Sequence, residues 1–217
     1  MKDKYFVTLI LSLIGIIFII LGVGFSVFVP PFLYNEATEL EALPLVGVAY
    51  LMDSHPNDGL VAIEAILSDQ NPTLYQDYLV YSVDEYRRGS IDKNDDDDDE
   101  WVEISRNTPP LLLAQPKGMV KIVNEDYKVN GQQHIITDGN TRYRGLTAGT
   151  AVFVVGFHLS RGENPELKAN FIAIGTRDDY VAEQRKSAYF FDWFGWLFAS
   201  VGILLCIIGI IILIWNI

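Results

Sequence analysis

The residues with the clearest capacity for chemistry form one run of acids: Asp95, Asp96, Asp97, Asp98, Asp99 and Glu100. Carboxylate oxygens are the ligands that Ca²⁺ prefers, and an EF-hand loop holds the ion with twelve residues. A loop counted from Asp92 to Glu103 has oxygen-bearing side chains at its first, third, fifth, ninth and twelfth positions. Its sixth position is Asp97, however, where the EF-hand turn needs glycine. Because adjacent like charges repel, we expect a solvated hairpin tip, with weak cation binding as the alternative.

No other spacing of reactive residues predicts a catalytic or metal site. None of the histidines, His55, His134 and His158, has a second His, Cys or acid at the spacing of metal ligands. The chain lacks the nucleophile elbow G-x-S-x-G, the phosphate loop G-x-x-x-x-G-K-[ST] and the zinc motif H-E-x-x-H. We therefore predict no catalytic residue, no cofactor and no enzyme activity, and we keep a membrane-tethered hydrolase as a minor alternative.

Charge and cysteine content exclude further classes of function. The chain has 28 acidic residues against 16 Lys and Arg, a net charge of −12, so it repels phosphate backbones and we expect no nucleic-acid partner. Its one cysteine, Cys206, excludes an intrachain disulfide and a thiolate zinc site. The basic residues Arg142, Arg144 and Lys168 are scattered, and we expect them to be solvated.

Four tyrosines cluster in the middle of the chain. They are Tyr75, Tyr78, Tyr81 and Tyr86. Core packing is the default expectation for such rings. The alternative is a patch that faces a partner, in which the ring is buried and the hydroxyl stays wet.

The elements that must position these residues include two apolar segments. Tyr5–Val29 and Trp193–Trp215 run 25 and 23 residues without a charge, and a bilayer core needs about 20. We therefore predict two transmembrane helices. A cleaved signal peptide is the alternative for the first, but its apolar run exceeds the roughly 7–15 residues of such a peptide, which favours an uncleaved anchor.

The distribution of positive charge predicts an orientation. Lys2 and Lys4 precede the first span, whereas residues 30–57 contain no Lys or Arg. Positive residues stay in the cytoplasm and the first span usually dominates. We therefore expect both termini in the cytoplasm and the domain between the spans outside it. Arg185 and Lys186 argue mildly against this orientation, since they lie on the domain side of the second span.

Both predicted spans carry a stripe of small residues. The stripes comprise Ser12, Gly15 and Gly22 in the first span and Gly195, Ala199, Gly202 and Gly209 in the second. Their period of about 3.5 residues matches left-handed helix packing, and small side chains let two backbones approach closely. We expect the two spans to pack antiparallel on each other. A homo-oligomer contact is the alternative, and glycine is common in membrane helices in any case.

The middle of the chain predicts a β domain. Pro30 and Pro31 should end the first helix, which makes residues 1–29 the N-terminal tail and first span. Residues 30–44 are then a linker, with a short helix over Phe32–Pro44 as the alternative. Short apolar segments from Val46–Met52 to Phe171–Ile174 then alternate with turns, a pattern typical of a mainly antiparallel sandwich or barrel over residues 45–175. Thr176 then caps a helix over residues 176–192 that continues without a break into the second span, residues 193–217.

Two stretches of this middle region have a recognisable order of segments. The first is LVAIEAILSDQNPTLYQDYLVYSVDEY, a strand pair leading to a Tyr-rich strand that ends in an acid, and the second is the Trp-led EWVEISRNTPPLLLAQPKGMVKIV. From about Leu45 onward the chain resembles the GIDE/MULAN domain. The matching positions are Tyr78, Tyr81, Glu85, Trp101, Leu112, Gly118 and Val120. The later YRGLTAGTAVFVVGFHL and FIAIGTRDDYVAEQRKSA are also similar, whereas the acidic run and Lys117 depart from the pattern.

The resemblance implies an OB-like, β-rich domain beside a membrane, held between two helices. Eukaryotic members with this layout are membrane ubiquitin ligases whose activity needs a C-terminal zinc RING. This sequence ends at Ile217, two residues after the second span, and has one cysteine, so we do not expect ligase activity. No catalytic residue is transferred from the family.

Together these observations predict an α+β membrane protein in which two transmembrane helices flank a β domain. We expect a non-catalytic, membrane-anchored binding or sensing module, or a scaffold. Its expected partners are the lipid bilayer and a protein, with a homo-oligomer as a further possibility. The main alternative is an accessory subunit of a larger membrane complex.

Overall fold

The computed structural model describes residues 2–56, 59–88, 100–131 and 133–214, without the side chains of residues 2–5. These residues form two compact units. The helical unit takes the residues up to Ala42 and those from Val181 onward, and the β unit takes Leu43–Tyr180. The helices are α1 (Lys2–Ala42), α2 (Val48–Asp53) and α3 (Arg177–Ile214). The strands are β1 (Leu60–Leu67), β2 (Tyr78–Arg87), β3 (Glu100–Asn107), β4 (Leu111–Gln115), β5 (Gly118–Ile122), β6 (Lys128–Asn130), β7 (His134–Asp138), β8 (Thr141–Thr147), β9 (Ala151–Ser160) and β10 (Glu166–Ile174).

Two of the helices, α1 and α3, are long and apolar enough to cross a membrane by length and composition. In their most apolar windows only 11% and 17% of the residues are buried, whereas the core helix of a soluble protein is mostly buried. Large apolar side chains such as Phe6, Leu9, Ile20 and Ile203 are about half or more exposed along their outer faces. The composition of the two helices therefore suits an apolar solvent better than water.

The prolines do not end α1, and the predicted linker over residues 30–44 is wrong up to Ala42. Both Pro30 and Pro31 lie inside the helix. Each proline removes one backbone hydrogen bond, but the ladder continues on both sides, and a packed neighbouring helix compensates for such a loss. Beyond the prolines, an ion pair of 2.6 Å joins Arg185 of α3 to Glu41 of α1. The two helices therefore still lie side by side there, which favours the longer helix.

The C-terminal helix is confirmed as one continuous element. Its start is fixed by Thr176 and Asp179, whose side chains cap each other's backbone. The Thr176 backbone N–H donates to Asp179 Oδ2 at 3.0 Å, and the Asp179 N–H donates to Thr176 Oγ1 at 3.1 Å. Reciprocal bonds of this kind satisfy donors that the first helical turn would otherwise leave free. From Arg177 the helix runs unbroken to Ile214.

A five-stranded barrel forms the centre of the β unit, as the β-rich prediction expected. Around the barrel the strands run in the order β1, β4, β5, β10 and β9, and β9 pairs again with β1. Every pairing is antiparallel except the one between β5 and β10, which closes the barrel. Inward-facing residues fill its interior, including Ile63, Leu113, Val120, Ile122, Val154 and Ile172, all fully buried. Closure leaves no free edge among these strands.

Two insertions in the barrel build a second sheet of order β3, β2, β8 and β7, antiparallel throughout. An asparagine holds each insertion where it joins the barrel. Asn71 bonds both the N–H and the C=O of Leu112 in β4, at 2.6 and 2.7 Å. Asn124 does the same for Ala169 in β10, at 2.8 Å for both bonds. Each side-chain amide thus replaces a missing strand neighbour, which satisfies buried backbone groups at the junction.

Three local predictions differ from the structure. The segment Val46–Met52 was expected to be a strand, but Val48–Asp53 is a short helix that buries Val48 and Leu51 three residues apart. A short apolar run does not distinguish strand from helix by itself. The strands β6 and β8 were not predicted, since β6 has only three residues and β8 ends in a Gly-containing segment that suggested a turn. In the structure Gly145 is buried in β8, and a side chain there would lie 2.6 Å from the Tyr78 ring.

Candidate functional site

The second sheet carries a buried acid between two arginines. Asp84 of β2 is only 1% exposed. Arg142 Nε donates to its Oδ2 at 2.8 Å, and Arg144 Nη2 donates to its Oδ1 at 2.9 Å. The arginine side chains are 26% and 32% exposed, so each charge reaches solvent while its partner does not. The prediction that Arg142 and Arg144 are scattered and solvated is therefore wrong as to their scatter, since both bond one buried acid, although both side chains are partly exposed.

Strand register explains why these three residues meet. In the pairing of β2 with β8, Asp84 lies opposite Arg142 and Ser82 lies opposite Arg144. Successive side chains of a strand point to opposite faces, so the two arginines, two positions apart, share the face of Asp84. Asp84 and Arg142 are 58 positions apart in sequence, and β8 was not predicted. The Arg-x-Arg spacing was the only signal that sequence offered for this cluster.

A bulge brings a second ion pair to the same face. The register of β2 against β3 shifts between Val83 and Asp84, which leaves Ile104 of β3 without an opposite residue. In a regular strand, residues 103 and 106 would point to opposite faces. The bulge places both on one face, and Arg106 bonds the two Glu103 oxygens at 2.9 and 3.0 Å. Bulges commonly redirect a side chain in this way.

Glu103 also links the two pairs, since Arg144 Nη2 lies 3.3 Å from its Oε2. At the other end of the cluster the Arg142 guanidinium lies 4.7 Å from the centre of the Trp101 ring. This is a cation–π contact. We call the set of Asp84, Trp101, Glu103, Arg106, Arg142 and Arg144 the arginine face. It presents three guanidinium groups and one indole on a rigid sheet, with one acid buried beneath them.

The pKa of Asp84 reflects this arrangement. Burial alone would raise the pKa of its carboxyl, but hydrogen bonds from Arg144 and Arg142, together with their charges, hold the pKa below its usual value. A carboxyl whose pKa is lower in the folded chain stabilises the fold above the unfolded pKa, near 3.9. That contribution is lost as the pH falls through the folded value.

We therefore expect acid to erase the difference between the natural chain and an Asp84→Asn variant. Unfolding by denaturant should show the natural chain to be more stable at pH 7 and pH 5. The gap should narrow as the pH falls below about 4, where the unfolded chain begins to take up the proton. A gap that stays constant down to pH 2 would mean that the Asp84 charge does not stabilise the fold.

The tyrosines divide between two environments. Tyr78 is a core residue, 1% exposed, whose hydroxyl lies 2.8 Å from His134 Nδ1. Tyr143 lies between the two arginines of β8, so its ring points to the opposite face of the sheet, where it stacks on Tyr75 at 4.2 Å. A hydrogen bond with Tyr75 and then burial raise the pKa of the Tyr143 hydroxyl. Tyr81 completes this partly exposed group, with its ring 5.8 Å from that of Tyr75.

The histidines do not assemble a reactive centre in the described residues. His158 is 3% exposed; its Nε2 lies 2.7 Å from the Ser160 carbonyl and its Nδ1 lies 3.4 Å from Ser54 Oγ. A serine and a histidine at that distance make a weak hydrogen bond, and no carboxylate in the described residues bonds this ring. Across the same described ranges, no group of three His, Cys, Asp or Glu could hold a metal ion. The cation candidates Asp95–Asp99 lie outside the described residues.

An open groove of about 490 Å³ lies at one end of the barrel, lined mainly by apolar side chains such as Ile66 and Val152. The polar groups at its edge are already engaged. Gln115 accepts a bond from the Val48 N–H and donates to the Glu64 carbonyl, both at 2.6 Å. The Glu64 carboxylate accepts from the Arg177 N–H at 2.8 Å. The groove therefore offers apolar surface rather than reactive groups.

In the helical unit, the small residues of α1 and α3 face one another. A Cβ atom added to Gly22 would lie 2.5 Å from Ala199 N and from Gly195 O. The same atom on Gly202 would lie 2.5 Å from Gly15 O. Gly209 is looser, since its nearest neighbour across the interface is Ser12 Oγ at 3.1 Å. The structure thus brings all seven small residues of the two stripes together in one interface between α1 and α3.

Comparisons with known proteins assign no family. No protein-family model matches this chain, and no curated protein is significantly similar to it.

Proposed function

We propose that this chain is a two-span membrane protein whose β unit binds a protein partner through the arginine face, without carrying out a reaction. The observation that carries the proposal is the composition of that face. Trp, Tyr and Arg are the residues that contribute most of the energy at protein interfaces. Here Arg142 is stacked on Trp101 at 4.7 Å and is held by a buried acid, so the rings and guanidinium groups need little ordering when a partner arrives.

The helical unit supports the membrane part of the proposal. The glycines of its two stripes face each other, and large apolar side chains such as Ile20 and Ile203 are exposed on its outer faces, which is the arrangement that a helix pair needs in lipid. Trp193 and Trp196 are more than half exposed near the start of the apolar part of α3, as expected of aromatic rings at a membrane interface. We propose that both termini are cytoplasmic and that the β unit lies on the other side, because Lys2 and Lys4 at the start of α1 follow the rule that positive residues stay in the cytoplasm.

The strand order of the barrel supports the proposed likeness to the GIDE/MULAN domain. Around the barrel the order is β1, β4, β5, β10 and β9. When the five strands are numbered along the chain, this order is 1-2-3-5-4, with the third and the fifth strands parallel. An OB-fold has this connectivity, and the family resemblance implied an OB-like domain. We therefore propose an OB-like module beside a membrane, which in other proteins is a fold for binding rather than for one particular chemistry.

An accessory subunit of a larger membrane complex is the second reading, and the helical unit weighs against it. A foreign helix would dock most closely on the small residues, but those of α1 and α3 already contact each other. The apolar outer faces remain, yet they suit lipid as well as another helix. No arrangement of the described residues favours the hydrolase.

The test is to purify the tagged full chain from native membranes in mild detergent and to identify what accompanies it by mass spectrometry. We expect one stoichiometric protein partner, and we expect it to be lost on Trp101→Ala, since the indole carries much of the exposed apolar area of the arginine face. Leu159→Ala is the matched control, because Leu159 is an apolar residue 45% exposed on a barrel strand.

The outcomes separate the readings. A partner that is lost with Trp101→Ala but retained with Leu159→Ala supports the proposal. A stoichiometric membrane complex that survives both substitutions would favour the accessory subunit. A chain that travels alone from its native membrane would contradict the proposed protein partner.

A further inference from the structure

A pocket of about 60 Å³ opens between the strands of the arginine face. Its walls include Ser82, Thr108, Gln133 and the side chains of Arg106 and Arg144. By the same measure a cavity needs roughly 10–15 Å³ to hold one water, so the space suits several waters or a small charged group. The pocket lies within the β unit, away from the apolar groove.

Hydrogen-bond donors without an acceptor among the described residues line this pocket. Ser82 is only 6% exposed, and its hydroxyl makes no hydrogen bond to another described residue. Its oxygen is not among the fully enclosed polar atoms of the described residues, so the hydroxyl is open to whatever occupies the pocket. The Gln133 amide also makes no hydrogen bond to another described residue.

The two arginines add donors of their own. Arg106 uses Nε and Nη2 to hold Glu103, and Arg144 uses Nη2 to hold both Asp84 and Glu103. A guanidinium group has five N–H donors, so the Nη1 atom of each arginine keeps its two protons free of these bonds. Thr108, by contrast, is satisfied, since its hydroxyl donates to the Glu125 carbonyl.

The charge balance fixes the sign of the ligand. The arginine face combines three arginines with two carboxylates, which leaves one net positive charge in a chain whose total is −12. Glu103 would repel an anion, but both of its oxygens are bound by Arg106. A site rich in free donors, with few free acceptors and net positive charge, favours an oxyanion over a cation.

We propose that this pocket binds a single oxyanion, a carboxylate or a phosphate group, through Ser82, Gln133, Arg106 and Arg144. The inference rests on the proposed function and deepens it, because it names the group that a partner presents to the arginine face. An acidic side chain or a chain terminus supplies a carboxylate, and a modified side chain or a free ion supplies a phosphate.

The experiment uses the full chain in detergent micelles at constant ionic strength. Sodium acetate and sodium phosphate are titrated separately against sodium chloride, and the ¹H–¹⁵N signals of the arginine side chains are followed by NMR. We expect a saturable shift of the Arg106 and Arg144 Nε–H signals, with a dissociation constant on the order of 1 mM, as suits so small a ligand.

Three variants and a control locate the site. Ser82→Ala removes a hydroxyl that bonds no other described residue, so the fold should be unaffected while binding weakens about fivefold. Gln133→Ala should act similarly, and Arg106→Gln should weaken binding about tenfold. Arg87→Gln is the matched control, since Arg87 lies at an exposed end of β2 and its side chain forms an ion pair with Glu85 alone among the described residues, at 3.6 Å, so binding should not change.

The outcomes decide both the site and its source. Saturation by acetate alone assigns a carboxylate, and a clear preference for phosphate assigns a phosphate group. No saturation with either ion, or equal binding by all variants, would overturn the inference. A partner that co-purifies without any oxyanion binding would leave the proposed function standing. Oxyanion binding by a chain that purifies without a partner would support the oxyanion site and contradict the proposed protein partner.

Discussion

The Asp84→Asn variant is expected to lose about 2–4 kcal/mol of the free energy of unfolding of the β unit. Removing one member of a fully buried ion pair costs about 3–5 kcal/mol, because the remaining charge is left without compensation. Here the two arginines are 26% and 32% exposed, so water can solvate them in part and the loss should be smaller. The amide that replaces the carboxylate can still accept one hydrogen bond but carries no charge.

Hydrogen exchange followed by mass spectrometry measures this loss locally. The amides of β2 and β8 should exchange roughly 30- to 700-fold faster in the variant, since every 1.4 kcal/mol is a factor of ten. The control is Glu85→Gln, one residue away on the same strand. Glu85 and its partner Arg87 are both more than half exposed and 3.6 Å apart, so that change should cost about 0–1 kcal/mol. Equal exchange in both variants would show that the buried pair adds nothing to stability.

The Gly22→Ile variant is expected to separate α1 from α3. A Cβ atom on Gly22 would meet backbone atoms of α3 at 2.5 Å, and backbone cannot move aside as a side chain can. Overpacking usually costs about 1–3 kcal/mol, and a clash with backbone along a whole helix interface belongs at or above the upper end. Gly24→Ile is the matched control, because a Cβ on Gly24 has no atom within 4 Å.

Cross-linking reports the separation directly. A Cβ atom on Gly209 would lie 3.1 Å from Ser12 Oγ, which is close to the geometry of a disulfide between two cysteines at these positions. In a chain carrying Ser12→Cys, Gly209→Cys and Cys206→Ala, mild oxidation should form this bridge. Gly24→Ile should leave its yield unchanged, and Gly22→Ile should lower it at least fivefold. Equal yields would contradict close packing at Gly22.

Sequence was most informative where one physical property dominates a whole segment. Long apolar runs gave α1 and α3, and short apolar runs between turns gave β1, β4, β5 and β9. In each case the transfer of apolar side chains out of water decides the structure, and the hydrophobicity of each residue can be taken directly from the sequence. The cap formed by Thr176 and Asp179 was also legible, because its partners are three residues apart.

The arginine face was not predictable, for two reasons of geometry. Its central acid and its arginines come from strands 58 and 60 positions apart, so nothing local indicates that they meet. The bulge at Ile104 then reverses the side on which Arg106 lies, and a simple alternation of sides would have placed it away from Glu103. The end of α1 was also mispredicted, because Pro30 and Pro31 were expected to stop the helix. The loss of their two backbone hydrogen bonds costs less than the packing of a continuous helix against α3 provides.

The pairing of α1 with α3 has a consequence for biosynthesis. Ser12 and Cys206, which contact each other across the interface, are 194 positions apart in the chain. A ribosome adds about 5–20 residues per second, so roughly 10–40 s pass between the synthesis of the two. Throughout that interval the glycines of α1 have no partner from their own chain, and the whole β unit is synthesised within it. The helix pair can therefore form only after the whole β unit has been synthesised, and until then something other than α3 must cover the glycine face of α1.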